Sequence, residues 1–133
     1  MQLSAAWAAC FALCLSVGAA LGQSLAPTHA EGATPSNVKG FYVTVGNPYR
    51  TAMTFRLLPL DPSFSRGVAD AVAQPATLTL APGFSRRAIL AFKIPPGSKE
   101  RTIGLCVMPQ KIAGPVLPRV CGRYTGVLAG SGG

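Results

Sequence analysis

The chain has 133 residues and a net charge of +8, from 12 Lys and Arg against 4 Asp and Glu, with one histidine and 4 cysteines. So few carboxylates and a single imidazole argue against acid–base, triad and metal-centred chemistry. The basic balance favours anionic or acidic partners, and the length sets one small domain.

Residues 1–22 carry no charged side chain and hold an apolar stretch from Ala5 to Val17, followed by Gly18, Ala19 and Ala20. This layout is that of a secretory signal peptide cut after Gly22, with Ala30 as a second cleavage point. The alternative is a retained N-terminal anchor, for which the apolar run is short of the ~20 residues that span a bilayer. Cys10 and Cys14 fall inside this segment and are expected to leave with it. The expected localisation is periplasmic or secreted.

Removal of the leader leaves Cys106 and Cys121, which are expected to pair in an oxidising compartment. Residues 23–37 are small, polar and interrupted by proline, and read as a flexible lead, part of which can add an edge strand. A domain then runs over residues 38–128, and residues 129–133 form a Gly/Ser tail.

Within the domain the pattern is one of short strands between Gly/Pro turns. Val38 to Val45 turns Phe41, Val43 and Val45 to one face, and Gly46-Asn47-Pro48 ends it. Thr51 to Leu58 turns Met53, Phe55 and Leu57 inward, the alternation of a half-buried antiparallel strand. Residues 59–75 form a long connection in which Arg66 to Val72 reads as a short helical turn. Ala76 to Leu80 places Ala76, Leu78 and Leu80 on the core side. After the Pro82-Gly83 turn, Ser85 to Ile94 does the same with Ala88, Leu90, Phe92 and Ile94.

The last two strands are the most constrained. If Cys106 faces Cys121, then Val107 pairs with Val120, Leu105 with Gly122 and Ile103 with Tyr124, all on one face. Met108–Arg119, Gly104–Arg123 and Thr102–Thr125 then take the other face with the disulfide. A slip of one residue would exchange the faces. Six or seven antiparallel strands in this length predict an all-β, immunoglobulin-like sandwich. It is not of the antibody type, because the only tryptophan is Trp7 in the leader.

The histidine, His29, lies in the lead, and Glu31, Asp61, Asp70 and Glu100 form no pair in sequence. No catalytic residue, cofactor or metal site is expected, and no nucleic-acid reading motif is present. The candidate surface is a basic patch of Arg86, Arg87, Arg119 and Arg123; the alternative is that outward charges blunt strand edges.

Phe41-Tyr42-Val43-Thr44-Val45-Gly46-Asn47-Pro48 followed by Met53-Thr54-Phe55-Arg56-Leu57 resembles the opening strands of the periplasmic pilus-assembly chaperones of the PapD-like group. Pro75 to Arg87, with its Leu80-Ala81-Pro82-Gly83-Phe84-Ser85-Arg86 turn, and Arg101 to Val107 resemble the strands that follow in that family. The resemblance implies a non-catalytic module that binds an exported protein subunit by β-augmentation, the addition of a strand to a sheet edge. Two further roles stay open: a structural subunit of a pilus or envelope assembly that donates its lead to a neighbour, and a binder of anionic glycan or lipid through the arginines.

Overall fold

A computed structural model describes residues 22–111 and 118–130. Nine strands are formed among them: β1 (Ser24–Ala26), β2 (His29–Thr34), β3 (Val38–Gly46), β4 (Met53–Leu60), β5 (Ala71–Gln74), β6 (Thr77–Leu80), β7 (Ser85–Lys93), β8 (Glu100–Pro109) and β9 (Val120–Leu128). They build two sheets, one in the order β1-β3-β7-β5 and one in the order β2-β9-β8-β4-β6. The class is the expected all-β, immunoglobulin-like sandwich. Most of the leader, residues 1–21, lies outside the described residues, as do residues 112–117 and 131–133.

The strand count exceeds the expected six or seven for one physical reason. Two runs of chain each change sheets at a proline, which has no N–H to continue a ladder. Before Pro27, β1 pairs with β3; after it, β2 runs parallel to β9 in the other sheet. Before Pro75, β5 pairs with β7; after it, β6 pairs with β4. The lead expected to be flexible over residues 23–37 is thus mostly strand, and it supplies Leu25 to the core. The helical turn expected over Arg66 to Val72 does not form either. Ala71 and Ala73 alternate inward with a period of two, which suits a strand. Ala76, expected inward, is exposed, because β6 starts after it and its carbonyl accepts from Leu57 N–H at 2.8 Å.

Alternating side chains fill the space between the sheets. Phe55, Leu57, Leu78 and Leu80 meet Val43, Val45, Ala88, Leu90 and Phe92, with Ile103, Leu105, Val107 and Tyr124 beneath. Phe41 lies 6.1 Å from Phe92 and 5.8 Å from Tyr124 between ring centroids. Asn47 is buried at one end and ties the β3–β4 turn to the β6–β7 turn. Its Nδ2 donates to Leu80 O at 2.9 Å and Thr51 O at 3.0 Å, while its Oδ1 accepts from Tyr49 N–H at 3.0 Å. Its backbone N–H donates to Phe84 O at 2.9 Å, and its carbonyl accepts from Gly83 N–H at 2.8 Å. The sequence marked Asn47 only as a turn former.

Tyr124 is fully buried, and its hydroxyl donates to Pro27 O at 2.6 Å, tying β9 to the point where the first run changes sheets. Burial disfavours the phenolate and pushes the Tyr124 pKa up to about 12.

Two outcomes follow. Asn47→Ala leaves Leu80 O and Thr51 O without their donor and should cost about 2–3 kcal/mol in urea unfolding. For Tyr124 the folded pKa is raised, so its contribution is intact below about pH 10 and is lost as pH climbs towards 12. Unfolding free energy should fall by roughly 2–3 kcal/mol across that window; Tyr124→Phe should remove that part of the slope.

Candidate functional site

The β8–β9 ladder has the expected register, with Cys106 opposite Cys121, Leu105 opposite Gly122 and Ile103 opposite Tyr124. The disulfide forms, and its Cα atoms are 4.1 Å apart, the close spacing of a non-hydrogen-bonded antiparallel pair. Consistently, Leu128 N–H donates to Lys99 O in the same register. Even-numbered residues of β9 therefore direct their backbone groups to β8, and odd-numbered residues direct theirs to the opposite side. The ladder stops at Val107–Val120, so the expected Met108–Arg119 pair is not made.

On that opposite side, β2 covers β9 only from Arg123 to Leu128, beginning with Arg123 N–H donating to Thr28 O at 2.9 Å. Cys121 of β9, and Arg119 just before that strand, lie ahead of the start of β2, and their backbone N–H and C=O meet no partner among the described residues. Two features fix where the cover begins. A Cβ at Gly122 would lie 2.7 Å from the Tyr124 hydroxyl and 2.8 Å from Thr28 O, so only glycine lets the crossing chain approach here. Gln23, itself buried, donates through Nε2 to Val107 O at 2.9 Å and Pro118 O at 2.8 Å, and its Oε1 accepts from Tyr49 Oη at 3.3 Å. Nothing in the sequence pattern singled out Gln23.

The outer face of these strands is covered by the loop 61–66. The Asp61 carboxylate accepts from Ser65 N–H at 2.7 Å, Arg66 N–H at 3.0 Å and the Ser63 hydroxyl at 2.7 Å. The Arg66 N–H, followed by the Ser63 hydroxyl, holds its pKa below the usual carboxylate range. Phe64 takes a positive φ of 61° and seats its ring against Gly104, where a Cβ would come within 2.7 Å of it. Arg123 closes over that ring at 4.5 Å and donates to Pro62 O at 2.8 Å; Arg119 donates to Phe64 O at 3.2 Å.

The four candidate arginines therefore divide. Arg119 and Arg123 act together on the loop outside the β9 sheet. Arg86 and Arg87 belong to β7 in the other sheet, where they pair with Val45 and Thr44, and Arg87 lies 5.2 Å over the Tyr42 ring. A single four-arginine patch is not formed. His29 sits on β2 beside Arg123, and Glu31 and Glu100 lie in strands β2 and β8. Asp70 is held by a forked contact with Arg101, which lowers its pKa through hydrogen bonding. A recess of 230 Å³ between Ala52–Thr54 and Gln110–Lys111 is smaller than the ~300 Å³ of a usual small-molecule pocket.

No protein-family profile matches the sequence, and no curated protein matches it. Solved structures do match in fold. The E. coli chaperone DraB superposes with a TM-score of 0.67 at 18% identity, over 85% of this chain and 58% of that one. A chain of the Salmonella enterica SafA pilin–SafB chaperone complex gives 0.68 at 13% identity, over 85% and 57%. The ASH/PapD-like domain 7 of human CEP192 gives 0.59 at 14% identity, over 81% and 85%. The chain thus spans a little over half the length of the pilus-chaperone chains it matches. The PapD-like, immunoglobulin-like fold suggested by residues 41–107 is the fold observed.

Removing the bridge with Cys106→Ala and Cys121→Ala together should lower stability by about 3 kcal/mol, the chain-entropy value for a 15-residue loop. In a domain of this size that is a fall in Tm on the order of 10–20 °C, measured by thermal unfolding with and without reductant. Wild-type protein in reductant should match the double variant.

Proposed function

We propose that this chain is an exported, non-catalytic binding module that accepts an extended strand from another exported protein subunit, alongside the leading residues of β9. The observation that carries this reading is the backbone of Cys121, and of Arg119 just before β9, which no described residue pairs ahead of β2 in a disulfide-tied sheet. An incoming strand would satisfy those N–H and C=O groups, and its alternate side chains would meet half-buried Val120 at the mouth of the core. Similar folds support the direction of the proposal: one is solved as a SafA pilin with the SafB chaperone, another as a CsuC–CsuE chaperone–tip subunit pre-assembly complex.

The two alternatives are less well supported. A lead donated to a neighbour would have to leave its own sandwich, where β1 pairs with β3 and β2 with β9. An anion-binding face built on Arg119 and Arg123 would compete with the carbonyls of Pro62 and Phe64 that they already engage.

Export by residues 1–22 completes the proposal. A cut after Gly22 makes buried Gln23 the first residue, whereas a cut after Ala30 would delete β1 and take Leu25 from the core. N-terminal sequencing of the exported protein should therefore read Gln23-Ser24-Leu25; a start at Glu31 would contradict it.

The binding edge is tested by Arg119→Pro, which deletes the edge-directed N–H, against Arg119→Ala, which keeps it. With folding confirmed by circular dichroism, capture of a co-expressed exported subunit should fall at least tenfold for proline and change less than threefold for alanine. Equal capture by both variants would overturn the assignment of this edge.

A further inference from the structure

The other sheet has an opening of its own. In the β3–β7 ladder, Ile94 N–H donates to Asn37 O and Asn47 N–H donates to Phe84 O, so the odd-numbered residues of β3 bond to β7. The even-numbered residues therefore face the β1 side. There β1 reaches only Thr44 and Gly46, through Ala26 and Ser24. Val38 is occupied by the preceding turn: its carbonyl accepts from the Thr34 and Ser36 hydroxyls, and its N–H donates to Ser36 Oγ. Gly40 and Tyr42 remain, each presenting an N–H and a C=O with no partner among the described residues, along an edge that runs on from the end of β1.

The side chains around this gap are of two kinds. On the outer face Tyr42 is 65% and Val38 44% exposed, although both are large and apolar for a surface strand. On the inner side Lys39 lays its stem where a Cβ at Gly126 or Gly32 would come within 2.9 Å of it. Its ammonium sits 4.9 Å over the Phe41 ring, at the mouth of the sandwich. The ion pair formed among the described residues joins Arg101 to Asp70, and Lys39 makes none there. Two glycines thus hold a half-buried cation beside an unpaired strand edge.

We propose that Gly40–Tyr42 of β3 is a second strand-accepting edge, selective for an extended peptide that alternates apolar and acidic residues. The apolar residues lie against Tyr42 and Val38 on the outside, and a carboxylate turns inward to the Lys39 ammonium. Strand alternation delivers both from one segment, since successive side chains point to opposite faces. This site is separate from the β9 edge and lies in the other sheet.

The test uses the full exported domain and two capped hexapeptides, one alternating valine with glutamate and one alternating valine with lysine, titrated by NMR. The valine–glutamate peptide should move the Gly40 and Tyr42 amides most and slow their exchange with solvent, and it should bind at least tenfold more tightly than the lysine peptide. Lys39→Met, which keeps the stem, should erase that preference; Tyr42→Pro, which removes an edge N–H, should abolish binding. Arg119→Pro should leave the titration unchanged, which separates this edge from the one on β9. Equal affinity for the two peptides, shifts confined to Arg119 and Cys121, or no shift at millimolar peptide would each overturn the proposal. Concentration-dependent protection of Gly40 and Tyr42 without peptide would overturn it in favour of pairing with a second copy of this chain.

Discussion

The structure depends on the register of one pair of strands. With Cys106 opposite Cys121, the aliphatic row of Ile103, Leu105 and Val107 and the buried Tyr124 all turn inward, and the sulfurs stay on the outer face. The same parity decides which backbone groups of β9 bond to β8 and which are presented to the next lane. The disulfide does not merely add stability in a small domain, where each kcal/mol counts. It holds the alternation that makes the open edge at Arg119 and Cys121 a fixed feature. A slip of one residue would bury the arginines and turn the aliphatic row to solvent, so covalent and hydrophobic constraints select the same pairing.

The edges exist because the flanking chain does not stay in one sheet. Each sheet-switching run has a proline at its break, and the first leaves backbone of β3 and β9 without a partner among the described residues where it crosses. Polar side chains and glycines then fix the place of departure. Gln23 bonds the entering chain to Val107 and Pro118, Tyr124 bonds it at Pro27, and Gly122 admits Thr28 at close range. At the opposite end Asn47 ties the β3–β4 turn to the loop before β7. Gln23, Asn47 and Tyr124 are buried and each is hydrogen-bonded, which is the condition under which polar atoms add to the specificity of a core without destabilising it.

Much of this was legible in the residues. Period-two alternation located β3, β4, β6, β7, β8 and β9, and two cysteines fifteen apart gave the register of the last pair. The fold class followed from strand spacing, and short motifs over residues 41–107 already resembled the PapD-like group. What was not legible has a common cause. β1, β2 and β5 are short, made of small or polar residues, and held by pairing with longer neighbours, so their own sequences carry little pattern. The loop 61–66 was likewise hidden, because its anchor is a contact between Phe64 and Gly104 far apart in the chain. The four arginines looked alike on paper, yet Arg86 and Arg87 fall on β7 in one sheet, while Arg119 and Arg123 meet over the loop outside the other.

β9 is locked to β8, and the backbone of Cys121, with that of Arg119 just before it, has no partner among the described residues. Site-resolved amide hydrogen exchange on the oxidised domain measures this directly. Val120 and Gly122 should exchange slowly, alternating with fast exchange at Arg119 and Cys121. Slow exchange at all four, or the inverse alternation, would contradict both the register and the binding edge built on it.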